Sequence, residues 1–215
     1  MRYQAAREQL LEAVNKSTEV DLVRLSAGNI STRTEDGLVA ITPSGVKYRG
    51  ITAADMSIVD LNGNLIEGLK PSSETPMHTA IYRAMPEVGS VFHTHSLFAI
   101  TFAMLSDTLP PDGVPNVNLE LLVCGAPIPV APWACPATVT AGEVTVELLK
   151  ARPRLKVVLL RNHGLVAVGG DLNQAFDMAF NAEIGFQSYY QALTVGTPTL
   201  ITDDQFAEVK AVYHL

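Results

Sequence analysis

Short apolar runs alternate with helical hydrophobic stripes along this chain. Apolar residues recur at three- and four-residue intervals over residues 3–20, a spacing that predicts a first amphipathic helix. A second stripe runs through Phe176 and Phe186 and predicts a long last helix, which Asp171 caps. Between these two helices, short apolar runs bounded by turn residues predict strands over residues 38–42, 57–61, 90–95, 156–160 and 165–168.

Further helices are predicted over residues 97–105 and 141–150, and another begins at the serine pair Ser72-Ser73. Strands and helices that interleave in this way are typical of a layered α/β domain. Tight turns at Asn62-Gly63 and His163-Gly164 favour antiparallel pairing for part of the sheet. No linker or internal repeat divides the chain, so we expect one domain over residues 1–215.

Charge and cysteine content narrow the possible functions. The net charge is −7 and no basic run occurs, so we expect no nucleic-acid partner and no binding to an anionic membrane. The longest apolar stretches are too short to span a bilayer. Cys124 and Cys135 are too few and too far apart for a disulfide framework. We expect both thiols to be reduced and buried, in a cytoplasmic protein.

The strongest local signal is His93-Thr94-His95. Residues two apart on a strand point to the same face, so both imidazoles can bind one ion. The alternative is two unconnected histidines, one of them hydrogen-bonded within the core. His163 follows another apolar run, at a strand end of the kind where sites gather, and three neutral imidazoles suit a catalytic zinc ion. The weaker candidates are His78 and His214.

Glu74 stands in the predicted first turn of the helix that follows the serine pair. Three interpretations are open. Its charge can complement the helix dipole, or it can pair with His78 one turn later. It can also ligate the metal and act as a catalytic base.

Three clusters of small polar residues offer hydroxyls, an amide and turn N–H groups, which hold a phosphate without net charge. Each cluster alone is also an ordinary turn or helix cap. No P-loop and no dinucleotide-binding glycine motif occurs in the chain. The clusters are Gly28-Asn29-Ile30-Ser31, Thr42-Pro43-Ser44-Gly45 and Ser72-Ser73.

Taken together, these motifs resemble the class II aldolase/adducin family, and most of all its fuculose-phosphate and deoxyribulose-phosphate aldolases. The resemblance runs from about residue 3 to 205 in the same order and spacing. The matching stretches are Ala27-Gly28-Asn29-Ile30-Ser31, Ile41-Thr42-Pro43-Ser44-Gly45, Lys70-Pro71-Ser72-Ser73-Glu74, His93-Thr94-His95 and Asn162-His163-Gly164.

The resemblance implies a three-layer α/β/α sandwich with a central, mainly antiparallel sheet. It implies Zn²⁺, or another divalent metal such as Mn²⁺ or Co²⁺, on His93, His95, His163 and Glu74, with Glu74 as the group that moves protons. It also implies a homotetramer with sites at subunit interfaces. The phosphate of the substrate is expected among Gly28, Asn29, Ser44, Gly45, Ser72 and Ser73.

The implied reaction is the cleavage of a ketose 1-phosphate to dihydroxyacetone phosphate and a small aldehyde. The alternatives within the family are a pentulose-5-phosphate 4-epimerase and a sugar-phosphate dehydratase or decarboxylase. An adducin-like interaction module without catalysis is the alternative of another class. Residues 114–123 lack the tyrosine that fuculose-phosphate aldolase carries there, and Tyr213 is the candidate match to its tail tyrosine.

Overall fold

One sheet organises the computed structural model, which describes residues 3–213 apart from the side chain of Tyr213. Its strands are β1 (Asn29–Arg33), β2 (Val39–Ile41), β3 (Ser57–Val59), β4 (Leu65–Glu67), β5 (Ser90–Thr94), β6 (Val130–Ala131), β7 (Val157–Leu160) and β8 (Gly164–Gly169). They are ordered β4-β3-β2-β1-β5-β8-β7-β6. Only the β6–β7 pair is parallel among these strands, so the predicted mainly antiparallel sheet is confirmed.

Seven α-helices accompany the sheet within the described residues, and a short 3₁₀ helix covers Ala53–Asp55. They are α1 (Gln4–Glu19), α2 (Thr75–Ala84), α3 (Leu97–Ala103), α4 (Leu119–Val123), α5 (Val139–Ala151), α6 (Leu172–Val195) and α7 (Asp203–Tyr213). α1 contacts β1 and β2, α6 contacts β5, β7 and β8, and α2 packs against α5. Asp171 caps α6 as predicted, because its carboxylate accepts the N–H of Gln174.

Most predicted elements occur within a few residues of their expected bounds, but β1, β4, β6, α4 and α7 were not predicted. β1 is the instructive case, because its sequence Asn-Ile-Ser-Thr-Arg alternates too little apolar character to indicate a strand. It nevertheless lies near the middle of the sheet, and its first four residues are buried. The side chains of Asn29 and Ser31 are hydrogen-bonded to polar side chains of α2, which hydrophobic periodicity cannot reveal.

The cysteine prediction is half wrong. The Cys124 thiol is buried, but Cys135 is exposed, on the loop between β6 and α5. Within residues 3–213, no helix is long and apolar enough to cross a membrane.

Candidate metal centre

Two neighbouring antiparallel strands bring the three histidines together. On β5, His93 lies opposite Val166 of β8, and His95 follows directly after the end of β5. His163 lies in the short turn that joins β7 to β8, whose flanking residues Leu160 and Gly164 pair with each other. The sheet order therefore places all three imidazoles at one end of the β5–β8 pair.

Gly164 makes this approach possible. A Cβ atom at this position would lie 2.2 Å from the carbonyl oxygen of Thr94, well inside any allowed contact. Only glycine therefore lets β8 begin so close to the end of β5. Asn162 completes the turn with a φ of 58°, in the left-handed region that asparagine tolerates better than most residues. This local geometry directs the His163 ring toward the other two.

The ligand atoms of four side chains converge. Nε2 of His93 lies 2.9 Å from Nε2 of His95 and 2.8 Å from Oε2 of Glu74. Nε2 of His163 lies 3.8 Å from Oε1 of Glu74. All four ligand atoms lie within 4.8 Å of one another. The described residues thus contain a His₃Glu cluster in which one ion can contact every member.

Hydrogen bonding prepares His93 as a ligand. Its Nδ1 lies 2.8 Å from the carbonyl oxygen of Leu165, which can only accept, so Nδ1 carries the proton. The lone pair on Nε2 is then directed at the cluster. Burial, together with neighbouring histidines, lowers the pKa of both His95 and His163 to about 4, so these two imidazoles are neutral near pH 7.

Glu74 lies just before α2, which begins at Thr75, so its predicted place in the first turn is wrong by one residue. Its carboxylate does not cap the helix, and it does not bond to His78. It accepts instead from Nδ2 of Asn29 at 3.2 Å and from the N–H of Ala137 at 3.3 Å. The contacts therefore do not support the His78-pair interpretation, whereas the charge of Glu74 still lies at the N-terminus of α2, where it complements the helix dipole.

The charge state of Glu74 also suits a ligand. Burial raises the pKa of this carboxyl, but the facing imidazoles of His93 and His163 and the Asn29 amide outweigh that effect. The pKa therefore lies well below its usual range, and the group is a carboxylate. The imidazole nitrogens of three histidines and one carboxylate oxygen form a donor set that fits a divalent transition metal such as zinc.

The predicted phosphate residues lie beside this cluster. A cavity of about 230 Å³ is lined both by metal-site residues and by all three small polar clusters. No lysine or arginine is among its described lining residues. The predicted site residues that line it are Gly28, Asn29, Ser44, Gly45, Ser72, Ser73, Glu74, His95 and His163.

The donors available to a phosphate differ from the expectation in one respect. The N–H of Ser44 is bonded to the carbonyl oxygen of Lys70, and the N–H of Ser72 to that of Thr42. These two serines therefore offer hydroxyls to the cavity, and their turn amides are already occupied. Gly28 has a φ of 82°, and a Cβ there would lie 2.7 Å from the His93 carbonyl oxygen, so glycine is required beside the metal cluster.

Three contributors, Ser26, Pro136 and Ala137, were not predicted from the sequence. Ala137 reaches the site through its backbone N–H, a group that no residue type signals. Pro136 lines the same cavity. Among the weaker histidine candidates, His78 is fully buried outside the cluster. His214 and the side chain of Tyr213 lie outside the described residues.

Residues 8–190 match the Class II Aldolase and Adducin N-terminal domain. The chain belongs to this family. The predicted membership is therefore confirmed, and the matched region contains every residue of the metal cluster and of the cavity described above.

Named relatives and solved structures agree with the family. The chain is 35% identical over 207 residues to 5-deoxy-D-ribulose 1-phosphate aldolase of Bacillus thuringiensis serovar kurstaki, covering 95% of this chain and 93% of the relative. A solved L-fuculose 1-phosphate aldolase superposes with a TM-score of 0.88 at 28% identity, covering 100% of this chain and 99% of the other. The 3-oxo-tetronate 4-phosphate decarboxylase of Pectobacterium atrosepticum is 34% identical over 152 residues, or 71% of this chain and 68% of the relative. The expectation of an aldehyde-lyase is confirmed by the aldolases among these relatives.

Proposed function

We propose that this protein is a metal-dependent aldolase that cleaves a ketose 1-phosphate to dihydroxyacetone phosphate and a small aldehyde. One observation carries the proposal: three members of the His₃Glu cluster (Glu74, His95 and His163) line the same cavity as the three neutral polar clusters. A metal site beside a phosphate site of this kind suits a small substrate that has a carbonyl group near one end and a phosphate at that end.

In this proposal His93, His95, His163 and Glu74 hold the ion, and Zn²⁺ is the metal that best suits three imidazoles. A bound divalent ion supplies Lewis acidity to the substrate carbonyl. The chain supplies the rest of the chemistry. As the C3–C4 bond breaks, its electron pair stays on C3, and the C4 hydroxyl loses its proton and becomes the aldehyde carbonyl. A carboxylate oxygen of Glu74 would take up that proton and then deliver it to C3.

The phosphate is proposed to lie against the hydroxyls of Ser44, Ser72 and Ser73, with Gly28, Asn29 and Gly45 completing the wall. A buried oxyanion needs several donors, because leaving it unpaired is costly. These groups provide donors without adding positive charge. The cradle therefore recognises phosphate by hydrogen-bond geometry and not by bulk charge, in keeping with the acidic chain.

The reaction is tested by a screen of ketose phosphates against the Zn²⁺-supplemented protein, with triose-phosphate release as the readout. Fuculose 1-phosphate and 5-deoxyribulose 1-phosphate are the first substrates to try. We expect release with at least one of them, and none from a His163→Ala variant. A metal-loaded wild type that releases no triose phosphate from any ketose 1-phosphate would show the proposal to be wrong.

A decarboxylase is the second candidate, because one relative acts on 3-oxo-tetronate 4-phosphate and residues 114–123 contain no tyrosine. Incubation with a phosphorylated 3-oxo acid separates the two reactions, since only a decarboxylase releases CO₂. A pentulose-5-phosphate 4-epimerase would interconvert two ketoses and release no aldehyde. A non-catalytic, adducin-like module would need no His₃Glu cluster, so we place it last.

We also propose the three-layer arrangement, a cytoplasmic homotetramer and interfacial active sites. Exposed apolar side chains on α3 and α6 support an assembly, because large apolar groups on a monomer surface favour association. Sedimentation velocity tests this expectation, and a monomer at micromolar concentration would contradict it. The exposed side chains are Leu97, Ile184, Tyr190, Leu193 and Val195.

A further inference from the structure

A row of buried polar side chains extends from Glu74 into the core. Glu74, His78 and Tyr82 are four residues apart along α2 and its N-terminal cap, and Asn29 and Ser31 are two apart on β1. Four helical residues advance about 6 Å and two strand residues about 6.6 Å. Because these two spacings are nearly equal, the side chains of the helix and of the strand alternate along the row. Asn29 lies between Glu74 and His78, and Ser31 lies between His78 and Tyr82.

The distances show one continuous chain of hydrogen bonds. Nδ2 of Asn29 lies 3.2 Å from Oε2 of Glu74, and Oδ1 of Asn29 lies 2.6 Å from Nε2 of His78. Oγ of Ser31 lies 2.6 Å from Nδ1 of His78 and 2.8 Å from the Tyr82 hydroxyl. All five residues are buried, so water does not compete for these bonds.

The carboxylate sets the direction of every bond in the row. Glu74 can only accept, so Asn29 must turn its NH₂ group toward Glu74 and its carbonyl oxygen toward His78. His78 must then carry its proton on Nε2 and accept at Nδ1. The Ser31 hydroxyl donates to that Nδ1 and accepts from Tyr82.

We propose that His78 is a positioning residue that holds the Asn29 amide as a donor to Glu74, and thereby sets the place of that carboxylate at the metal. The inference rests on the proposed role of Glu74 as a metal ligand. Without the His78 donor, Asn29 can rotate and present its carbonyl oxygen to the carboxylate. Asn29 also lines the substrate cavity, so its orientation presents N–H groups to an anionic ligand there.

Two substitutions of similar polarity separate positioning from simple packing. In His78→Gln, an amide N–H can occupy the place of Nε2 and still reach Asn29. In His78→Asn, the shorter side chain reaches only toward Ser31. We expect His78→Asn to weaken Zn²⁺ affinity about 10-fold or more, as loss of groups that orient a ligand does. His78→Gln should stay within about 3-fold of wild type, a small change on the free-energy scale.

A double-mutant cycle assigns the effect to Glu74. In a Glu74→Gln background, His78→Asn should weaken Zn²⁺ binding no further, because no carboxylate is left to position. Equal losses with and without Glu74 would overturn the proposal. Thr145→Val is the matched control, because it removes another fully buried hydrogen bond away from the site and should leave Zn²⁺ affinity unchanged.

A measurement on the wild-type protein keeps the test decisive if the variants fail to fold. Nitrogen-15 chemical shifts of the His78 ring should show a protonated Nε2 and a bare Nδ1, and the opposite tautomer would overturn the proposal. Neither experiment depends on turnover. If coupling to Zn²⁺ is found but no ketose 1-phosphate is cleaved, the proposed reaction is wrong and the positioning role stands.

Discussion

The cavity has two unlike walls. On the metal wall, His93 is fully buried and Glu74 is 6% exposed, and each has its hydrogen-bond partners in place. On the phosphate wall, Ser73 and Gly45 are exposed and Ser44 is only half-buried. Water therefore cannot replace His93 or Glu74, whereas it can take the place of a donor lost at Ser44 or Ser73. The same type of substitution should therefore cost more on the metal wall.

The largest effect is expected for His93→Ala. This change removes the central ligand, whose Nε2 contacts both His95 and Glu74, so bound metal should fall from one ion per chain to near none. Elemental analysis of the purified variant measures the loss. Cys135→Ala, in an exposed loop close to the site, is the control and should retain full metal content. Full metal content in His93→Ala would remove that residue from the site.

Glu74→Gln should preserve the fold and lower kcat by about 10²- to 10⁴-fold, because an amide cannot take up or deliver the proton. The neutral side chain keeps its size and can still bond to its neighbours. Steady-state kinetics with circular dichroism separates lost chemistry from lost structure. A wild-type kcat in this variant would rule out the proton-transfer role.

Ser73→Ala should have a moderate effect on the exposed wall. We expect KM for a phosphorylated ketose to rise about 10-fold, since one hydrogen bond to a charged group is worth about 1.5–3 kcal/mol and water replaces part of it. The matching unphosphorylated ketose should be unaffected. Lys70→Ala is the control, because Lys70 is close in sequence but does not line the cavity. A phosphate-specific loss in that variant alone would mean that phosphate recognition depends on charge.

The smallest expected effect is the dependence of the stability of the metal-free protein on pH. Burial and nearby His93 lower the pKa of His78 to about 3, whereas an unfolded histidine titrates near 6.5. Between these two pKa values the His78 side chain is protonated in the unfolded state but not in the folded state. The free energy of unfolding therefore falls as the pH drops from about 6.5 toward 3. The slope contributed by His78 is at most about 1.4 kcal/mol per pH unit. Urea unfolding at pH 7 and pH 5 measures it, and His78→Gln should show a shallower dependence. Equal slopes in the two proteins would contradict a buried, neutral His78.

The sequence was most informative where a local pattern has one structural meaning. His93 and His95 could be paired because a strand repeats every two residues. The proximity of His163 to His93 and His95 was only a hypothesis, because local periodicity does not predict the order of strands in a sheet. The structure places β8 beside β5. β1 was not predicted because Asn29 and Ser31 are buried polar residues that form hydrogen bonds with α2, and buried polar residues produce no hydrophobic pattern. The Ala137 amide gave no signal at all, since every residue other than proline carries the same group.

The four ligand atoms come from three separate stretches of chain, at residues 74, 93–95 and 163, so the cluster does not exist before β5, β8 and the start of α2 are brought together. An ion that binds all four side chains therefore binds the native protein and not the unfolded chain, and its binding stabilises the native state. At a free concentration of 100 times Kd, such an ion adds about 2.7 kcal/mol to the free energy of unfolding. The melting temperature of the protein should therefore rise with the concentration of its metal. Removal of the metal by a chelator should destabilise the pairing of β5 with β8 before that of the other strands.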